Sequence, residues 1–170
     1  MSDILYRNRF RIPSTRLPGW DYGRGGAYCV TICTRGRICW LGEITGGKMS
    51  LSNLGDIVAQ EWVETAGRRP FVKLDTWTVM PNHFHGILHI EPPRVDQRPR
   101  PLGEIIGHFK GACTERIWAG GRREFRWQPR FYDQIIDSEE MLFQFRRYIL
   151  ENPLHWEKDR HHPNAPERLP

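Results

Sequence analysis

Long apolar runs are missing from this 170-residue sequence. None approaches the roughly 18 residues of a membrane span, and the start of the chain lacks the apolar segment of a signal peptide. A soluble, cytoplasmic protein is expected, with no membrane partner. Cysteine is scarce as well: Cys29, Cys33, Cys39 and Cys113 include no CxxC pair and form no fixed framework, which points to reduced thiols. No segment repeats internally. The apolar fraction, 39%, is low, yet seven Trp and eight Phe supply bulky core material and argue against disorder. The length fits one compact domain.

Acidic residues are sparse where basic ones gather. Residues 1–37 carry Arg7, Arg9, Arg11, Arg16, Arg24, Arg35 and Arg37 against only Asp3 and Asp21, an excess that matches the net charge of +5 for the whole chain. Such a stretch attracts polyanions, nucleic acid or anionic lipid, and equally fits a solvated arm. With Pro13, Pro18 and several glycines, residues 1–25 read as an extended N-terminal arm.

Beyond the arm, "GAYCVTICTRGRICWLGEI" predicts two strands, Tyr28 to Thr34 and Arg37 to Ile44, in a hairpin broken at Arg35-Gly36. Leu54, Ile57, Val58, Trp62 and Val63 recur at helical spacing after a Ser52/Asn53 cap and before Gly67. A second strand pair, "FVKLDTWTVM" and "HFHGILHI", turns at Pro81-Asn82. A Pro- and Arg-rich linker precedes a second helix carrying Leu102, Ile105, Ile106, Phe109 and Ile117 on one face. Short extended pieces follow around Trp127 and Ile135-Ile136. A third helix begins near Asp137, with Glu140 in capping-box position, and ends at Pro153. The order implies an α+β fold: a ferredoxin-like (RRM-like) central antiparallel sheet with helices packed mainly on one face. The domain is expected over residues 26–153, with 154–170 a short C-terminal segment and tail whose His155, His161 and His162 read as solvated.

Chemistry concentrates in "VMPNHFHGIL". Residues i and i+2 of a strand share a face, so His83 and His85 project together, opposite Phe84 and Gly86. Two imidazoles so placed can share one divalent ion and leave positions open for a substrate oxygen. Alone, the pair favours the plainer reading, one ring capping the Pro81-Asn82 turn and the other in a polar contact. A histidine-triad hydrolase is disfavoured, because the next alternate position is Ile87. On the third helix Tyr148 and Asn152 are four residues apart, so a phenol and an amide share a helical face. Pro153 disfavours the α conformation at Asn152, placing it at or past the helix end. A core-edge aromatic and a C-cap are the plain readings of these two.

"MPNHFHGIL", then "WQPRFYDQIIDSEE", then "YILENP" together resemble the HUH single-tyrosine transposases, and "GWDYGRGGAYCVTICTRGR" is similar to the REP-associated tyrosine branch within them. The resemblance covers about residues 18–153. It implies His83 and His85 as metal ligands, Asn152 as the third ligand with Glu151 as its competitor, and Tyr148 as nucleophile. It implies Mg²⁺ or Mn²⁺ as cofactor, no nucleotide cofactor, and single-stranded DNA with hairpins as partner. The expected activity is cleavage and strand transfer at REP-like palindromes through a 5′-phosphotyrosine, in a monomer or homodimer at the bacterial nucleoid. Arg7, Arg9, Arg11, Arg16, Arg24, Arg98, Arg100 and Lys110 are the expected DNA contacts, with Arg94 beside them in the linker. Trp20 or Tyr22 would stack on bases if exposed. The alternative is a non-catalytic hairpin-binding or regulatory protein of the same fold. A nucleotide phosphohydrolase is a third reading.

Overall fold

The computed structural model describes residues 19–165. Among these, the elements run β1 (Gly26–Cys33), β2 (Gly42–Thr45), β3 (Lys48–Leu51), α1 (Asn53–Gly67), β4 (Val72–Met80), β5 (His83–Ile90), α2 (Leu102–Ala119), β6 (Tyr132–Ile136) and α3 (Glu139–Glu151). Short 3₁₀ turns lie at Arg35–Arg37 and Asn152–Lys158. No helix among the described residues is long and apolar enough to cross a membrane.

Four strands form one antiparallel sheet in the order β4-β5-β1-β6. β1 and β4 run parallel with β5 between them and are joined through α1; β5 and β6 run parallel with β1 between them and are joined through α2. This interleaving is the expected ferredoxin-like arrangement. The hairpin expected across Arg35-Gly36 does not form, because β5 and β6 occupy both edges of β1. The hairpin instead joins β2 to β3 through Gly46 and Gly47, at φ +57° and +74°. A tight two-residue turn needs that left-handed pair, and only glycine adopts it without strain.

The helices start where side chains can cap them. Ser52 Oγ accepts from the Gly55 amide at 3.2 Å, as the sequence suggests. For α3 the cap is Ser138, not Asp137: its Oγ accepts from Met141 N at 3.2 Å, leaving Glu139 and Glu140 in the first turn against the helix dipole.

α1 and α2 cover one face of the sheet. Val58 and Trp62 from α1, and Ile105, Ile106, Phe109 and Cys113 from α2, pack on Tyr28, Val30, Ile32, Phe84 and Leu88. α3 packs on the other face through Leu142 and Ile149 against Cys29, Ile87 and Ile136. A bulge between Leu74 and Trp77 sets two residues of β4 opposite one of β5. It lets Leu74 and Trp77 both face the larger core and turns the Asp75 carboxylate toward α3.

Arg7, Arg9, Arg11 and Arg16 lie outside the described residues. At the inner end of the arm Tyr22 is buried, stacked on Tyr28 at 5.6 Å, while Trp20 Nε1 donates to Tyr28 Oη at 3.1 Å. Tyr22 is therefore core rather than a base-stacking surface.

β5 is buried on both faces, so its sequence must satisfy two environments at once. At Gly86 a Cβ would stand 2.7 Å from both Phe84 Cε1 and Trp62 Cζ2. The Gly86→Ala variant is expected to lose about 1–3 kcal/mol through overpacking of the Trp62 contact, measured as lowered urea and thermal midpoints. A wild-type midpoint would show that the indole has room to shift.

Candidate active site

The turn between β4 and β5 organises the site. Asn82 is 1% exposed. Its backbone carbonyl accepts from Thr34 N at 2.8 Å and Thr34 Oγ1 at 3.0 Å. Its side-chain Nδ2 donates to the carbonyls of Arg37 (3.0 Å) and His161 (2.7 Å), which fixes the amide so that Oδ1 faces His83 Nδ1 at 2.9 Å. A carbonyl oxygen only accepts, so His83 Nδ1 carries the proton. Burial, then the neighbouring His85, holds the His83 pKa well below its ordinary value. A neutral ring protonated at Nδ1 leaves Nε2 with a bare lone pair.

That nitrogen faces His85 Nε2 at 3.0 Å. Burial pushes the His85 pKa down to about 3, so this ring is neutral too, and its Nδ1 contacts Thr31 Oγ1 at 2.9 Å. The threonine hydroxyl both donates and accepts, so His85 can give its single proton to either side. With Nδ1–H turned to Thr31, both Nε2 atoms are open donors at one point. Holding the second ring nitrogen of each imidazole in this way is how metal-binding histidines are oriented.

α3 and the chain after it complete the surroundings. Tyr148 projects from α3 with its ring 5.3 Å from that of His85. Burial raises its phenol pKa; Arg160 and Asn152 pull it down. Asn152 is buried and helical (φ −56°, ψ −43°) despite Pro153, since the chain continues into the 3₁₀ turn. Its amide interacts with His83, Tyr148 and Asp159, yet its Oδ1 is buried without a hydrogen-bond partner. Glu151, the competing ligand, is tied to Arg147 at 3.0 Å.

Two groups here were not legible in the sequence. Asp159, its side chain 4% exposed, places Oδ2 3.7 Å from His83 Nε2 while Oδ1 accepts from His161 N at 2.6 Å. Burial raises its carboxyl pKa. His161, expected as solvated, packs its ring 4.7 Å from that of His83 and meets Cys33 Sγ through Nδ1 at 3.6 Å. The stretch from Asp159 to His161 thus lies over His83, and both histidines of the pair are 0% exposed. Ligand atoms of His83, His85 and Asp159 all lie within 4.8 Å of one another. Two imidazoles, a carboxylate and the unpartnered Asn152 oxygen form a mixed nitrogen and oxygen set that suits a small divalent cation.

Of the expected DNA-contacting cations, Arg24, Arg98, Arg100 and Lys110 fall within the described residues. Arg24 pairs with Asp21 at 3.1 Å, Arg98 with Glu104 at 2.7 Å, and Arg100 lies over Phe71 at 4.2 Å. Arg100 also donates to Glu91 O, beside the last residue of β5, about 23 Å along the strand from His83. These arginines belong to the opposite end of the sheet. Lys110 stands nearer, but its ammonium donates to the carbonyls of Gln128 (2.5 Å) and Arg130 (3.3 Å) and so pins a loop. Arg160 is close enough to the pair to act electrostatically on both rings, and Arg37 acts on neighbouring His161.

A second cluster holds α3 in register. Arg146 donates to both oxygens of Asp75, at 2.8 and 2.6 Å, and His89 Nε2 meets the same carboxylate at 3.2 Å. This bidentate contact ties to β4 the helix that carries Tyr148.

Comparison with known proteins bears on the fold. The structure of a REP-associated tyrosine transposase bound to a REP hairpin matches with a TM-score of 0.61 and 22% identity, over 82% of this chain and 73% of that one. A crystal structure assigned as a transposase from Deinococcus radiodurans matches with a TM-score of 0.51 and 19% identity, over 81% of this chain and 96% of that one. The chain therefore shares its α+β fold with these two transposase structures. No family model matches the sequence. An uncharacterized protein of Haemophilus influenzae is 34% identical over 86% of this chain and 90% of its own length, and the chain belongs to the same family as that protein.

The Asp75–Arg146 contact has a pH signature. Hydrogen bonds from Arg146 hold the Asp75 carboxyl well below its usual range. Its contribution is therefore complete above the unfolded value of about 3.9 and is lost as pH falls below that. Asp75→Asn is expected to cost about 1 kcal/mol at pH 7, since Arg146 is partly exposed. The difference from wild type should shrink between pH 4 and pH 2 in urea unfolding. A difference that stays constant over that range would refute the pairing.

Proposed function

We propose that this protein cleaves and rejoins single-stranded DNA at hairpin-forming sequences, with Tyr148 as nucleophile and a divalent ion, Mg²⁺ or Mn²⁺, held by His83 and His85. Asp159 Oδ2 and Asn152 Oδ1 supply the oxygen donors. The observation that carries this reading is the convergence of two neutral, oriented imidazole nitrogens 3.0 Å apart with the Tyr148 ring 5.3 Å away on a separately anchored helix. A bound cation would act there as a Lewis acid toward a phosphate oxygen.

The protein's own groups account for the remaining steps. Tyr148 Oη forms a bond to phosphorus as the bond from phosphorus to the 3′ oxygen breaks, and the phenolic proton ends on that leaving oxygen. The products are a 5′-phosphotyrosine and a free 3′-OH; attack by a second 3′-OH reverses the exchange and joins strands. One phosphodiester replaces another, so no nucleotide cofactor is needed. Burial opposes ionisation of the phenol, and the Arg160 guanidinium and Asn152 amide favour it. The neutral histidines neither repel a cation nor compete as acids at pH 7.

The test is covalent capture. Incubated with Mn²⁺ and single-stranded hairpin oligonucleotides drawn from the DNA flanking its own gene, the wild-type protein is expected to form a DNA adduct that resists denaturation. His83→Ala should lower adduct yield at least 100-fold, and Tyr148→Phe should abolish it. An adduct that survives Tyr148→Phe would remove the nucleophile assignment. Hairpin binding with no adduct at all would leave the non-catalytic reading.

A further inference from the structure

Arg35, Arg37, Arg123, Arg126 and Arg130 form no ion pair with a carboxylate among the described residues. They are nonetheless neighbours. Arg35 N donates to Arg126 O at 2.9 Å, Gln128 N to Cys33 O at 2.8 Å, and Thr34 is bridged to Trp127. The loop after α2 is thereby sewn to the end of β1, where Cys33 pairs across to His83, and Lys110 pegs the same loop from below. An unneutralised arginine face thus begins within a residue or two of the histidine pair and runs away from it along the loop.

This face contains a groove of about 720 Å³, lined by Lys110, Thr114, Trp118, Arg123, Arg126 and Trp127, with Glu115 its one carboxylate. Trp118 is 36% exposed, large for an indole on a helix end. Its Nε1 donates to Phe125 O at 3.1 Å, which fixes the ring, and the Arg126 guanidinium lies over it at 4.4 Å. A rigid, partly exposed indole with a planar cation on it, among unpaired positive charges, is suited to aromatic rings attached to phosphates. A duplex keeps its base faces stacked inside and offers only phosphates. An acidic peptide offers charge without rings.

We propose that this groove binds an unpaired nucleic-acid strand on its way to the histidine pair, with one base stacked at Trp118 and Arg126 and backbone phosphates on Arg35, Arg123 and Arg130. The assignment rests on the reading of the site as one that acts on single-stranded DNA. It places the strand at the His83 end of β5, away from Arg24, Arg98 and Arg100.

The test separates binding from chemistry. In a Tyr148→Phe background with EDTA, affinity for a fluorescein-labelled single strand of mixed sequence is read by anisotropy, alongside the matching duplex and poly-glutamate. Trp118→Ala is expected to weaken single-strand binding about 5- to 100-fold while duplex affinity changes little. Arg35→Ala, Arg123→Ala and Arg130→Ala together should flatten the slope of log affinity against log salt by about 2. Arg123→Glu, at an exposed position, should weaken binding with an unchanged unfolding midpoint and so covers loss by misfolding. Single-strand binding unchanged in all these variants would overturn the groove, as would equal losses for the duplex or poly-glutamate. Wild-type adduct formation alongside unaltered variant affinities would overturn the groove alone. Variants that lose single-strand binding, with no adduct from wild type, would keep the groove and remove the Tyr148 chemistry.

Discussion

The Asn82 amide is the contact on which the site depends. Its Nδ2 is committed to two carbonyls, one from the turn after β1 and one from the segment after α3, and that commitment aims Oδ1 at His83. One side chain therefore fixes a tautomer and ties together three stretches far apart in sequence. Were the amide free to rotate, His83 could place its proton on either nitrogen and the pair would lose its directed lone pair. Arg37 completes the arrangement by adopting a left-handed backbone (φ +57°), which is costly for a residue with a Cβ.

The sheet supplies the second condition, dehydration. Because two helices cover one face and α3 with the chain after it covers the other, β5 carries Phe84 and Leu88 toward one core and His83, His85 and Ile87 toward the other. An imidazole in water near neutral pH is partly protonated; here burial keeps both rings neutral. The larger core thus contributes indirectly, by making β5 a central strand buried on both faces from His83 to Leu88.

Much of this was legible in the sequence where the signal is local. Helical periodicity placed α1 and α2, the Pro81-Asn82 turn placed the second strand pair, and strand parity put His83 and His85 on one face. The misplaced hairpin shows the limit: Arg35-Gly36 has good turn chemistry, but the edges of β1 were already claimed by strands 50 and 100 residues later. Asp159 and His161 escaped for the same reason. They sit in a short polar stretch with no periodicity, and only long-range contacts with Asn82 and His83 show that the stretch is buried. The ion pairs of Arg24 with Asp21 and Arg98 with Glu104 are likewise properties of the fold that composition along the chain does not show.

One consequence follows from the stretch that lies over the histidines. The carboxylate nearest His83 and the ring that shields His83 belong to residues two apart, Asp159 and His161, joined by a hydrogen bond from the backbone of one to the side chain of the other. Cover and donor are thus a single mechanical part. Lifting the stretch to expose the histidines would carry the Asp159 carboxylate away with the His161 ring. It would also break the bond from Asn82 Nδ2 to the His161 carbonyl, and with it the constraint that aims Oδ1 at His83. Exposure of the pair and loss of the His83 tautomer are in this way coupled through one backbone carbonyl.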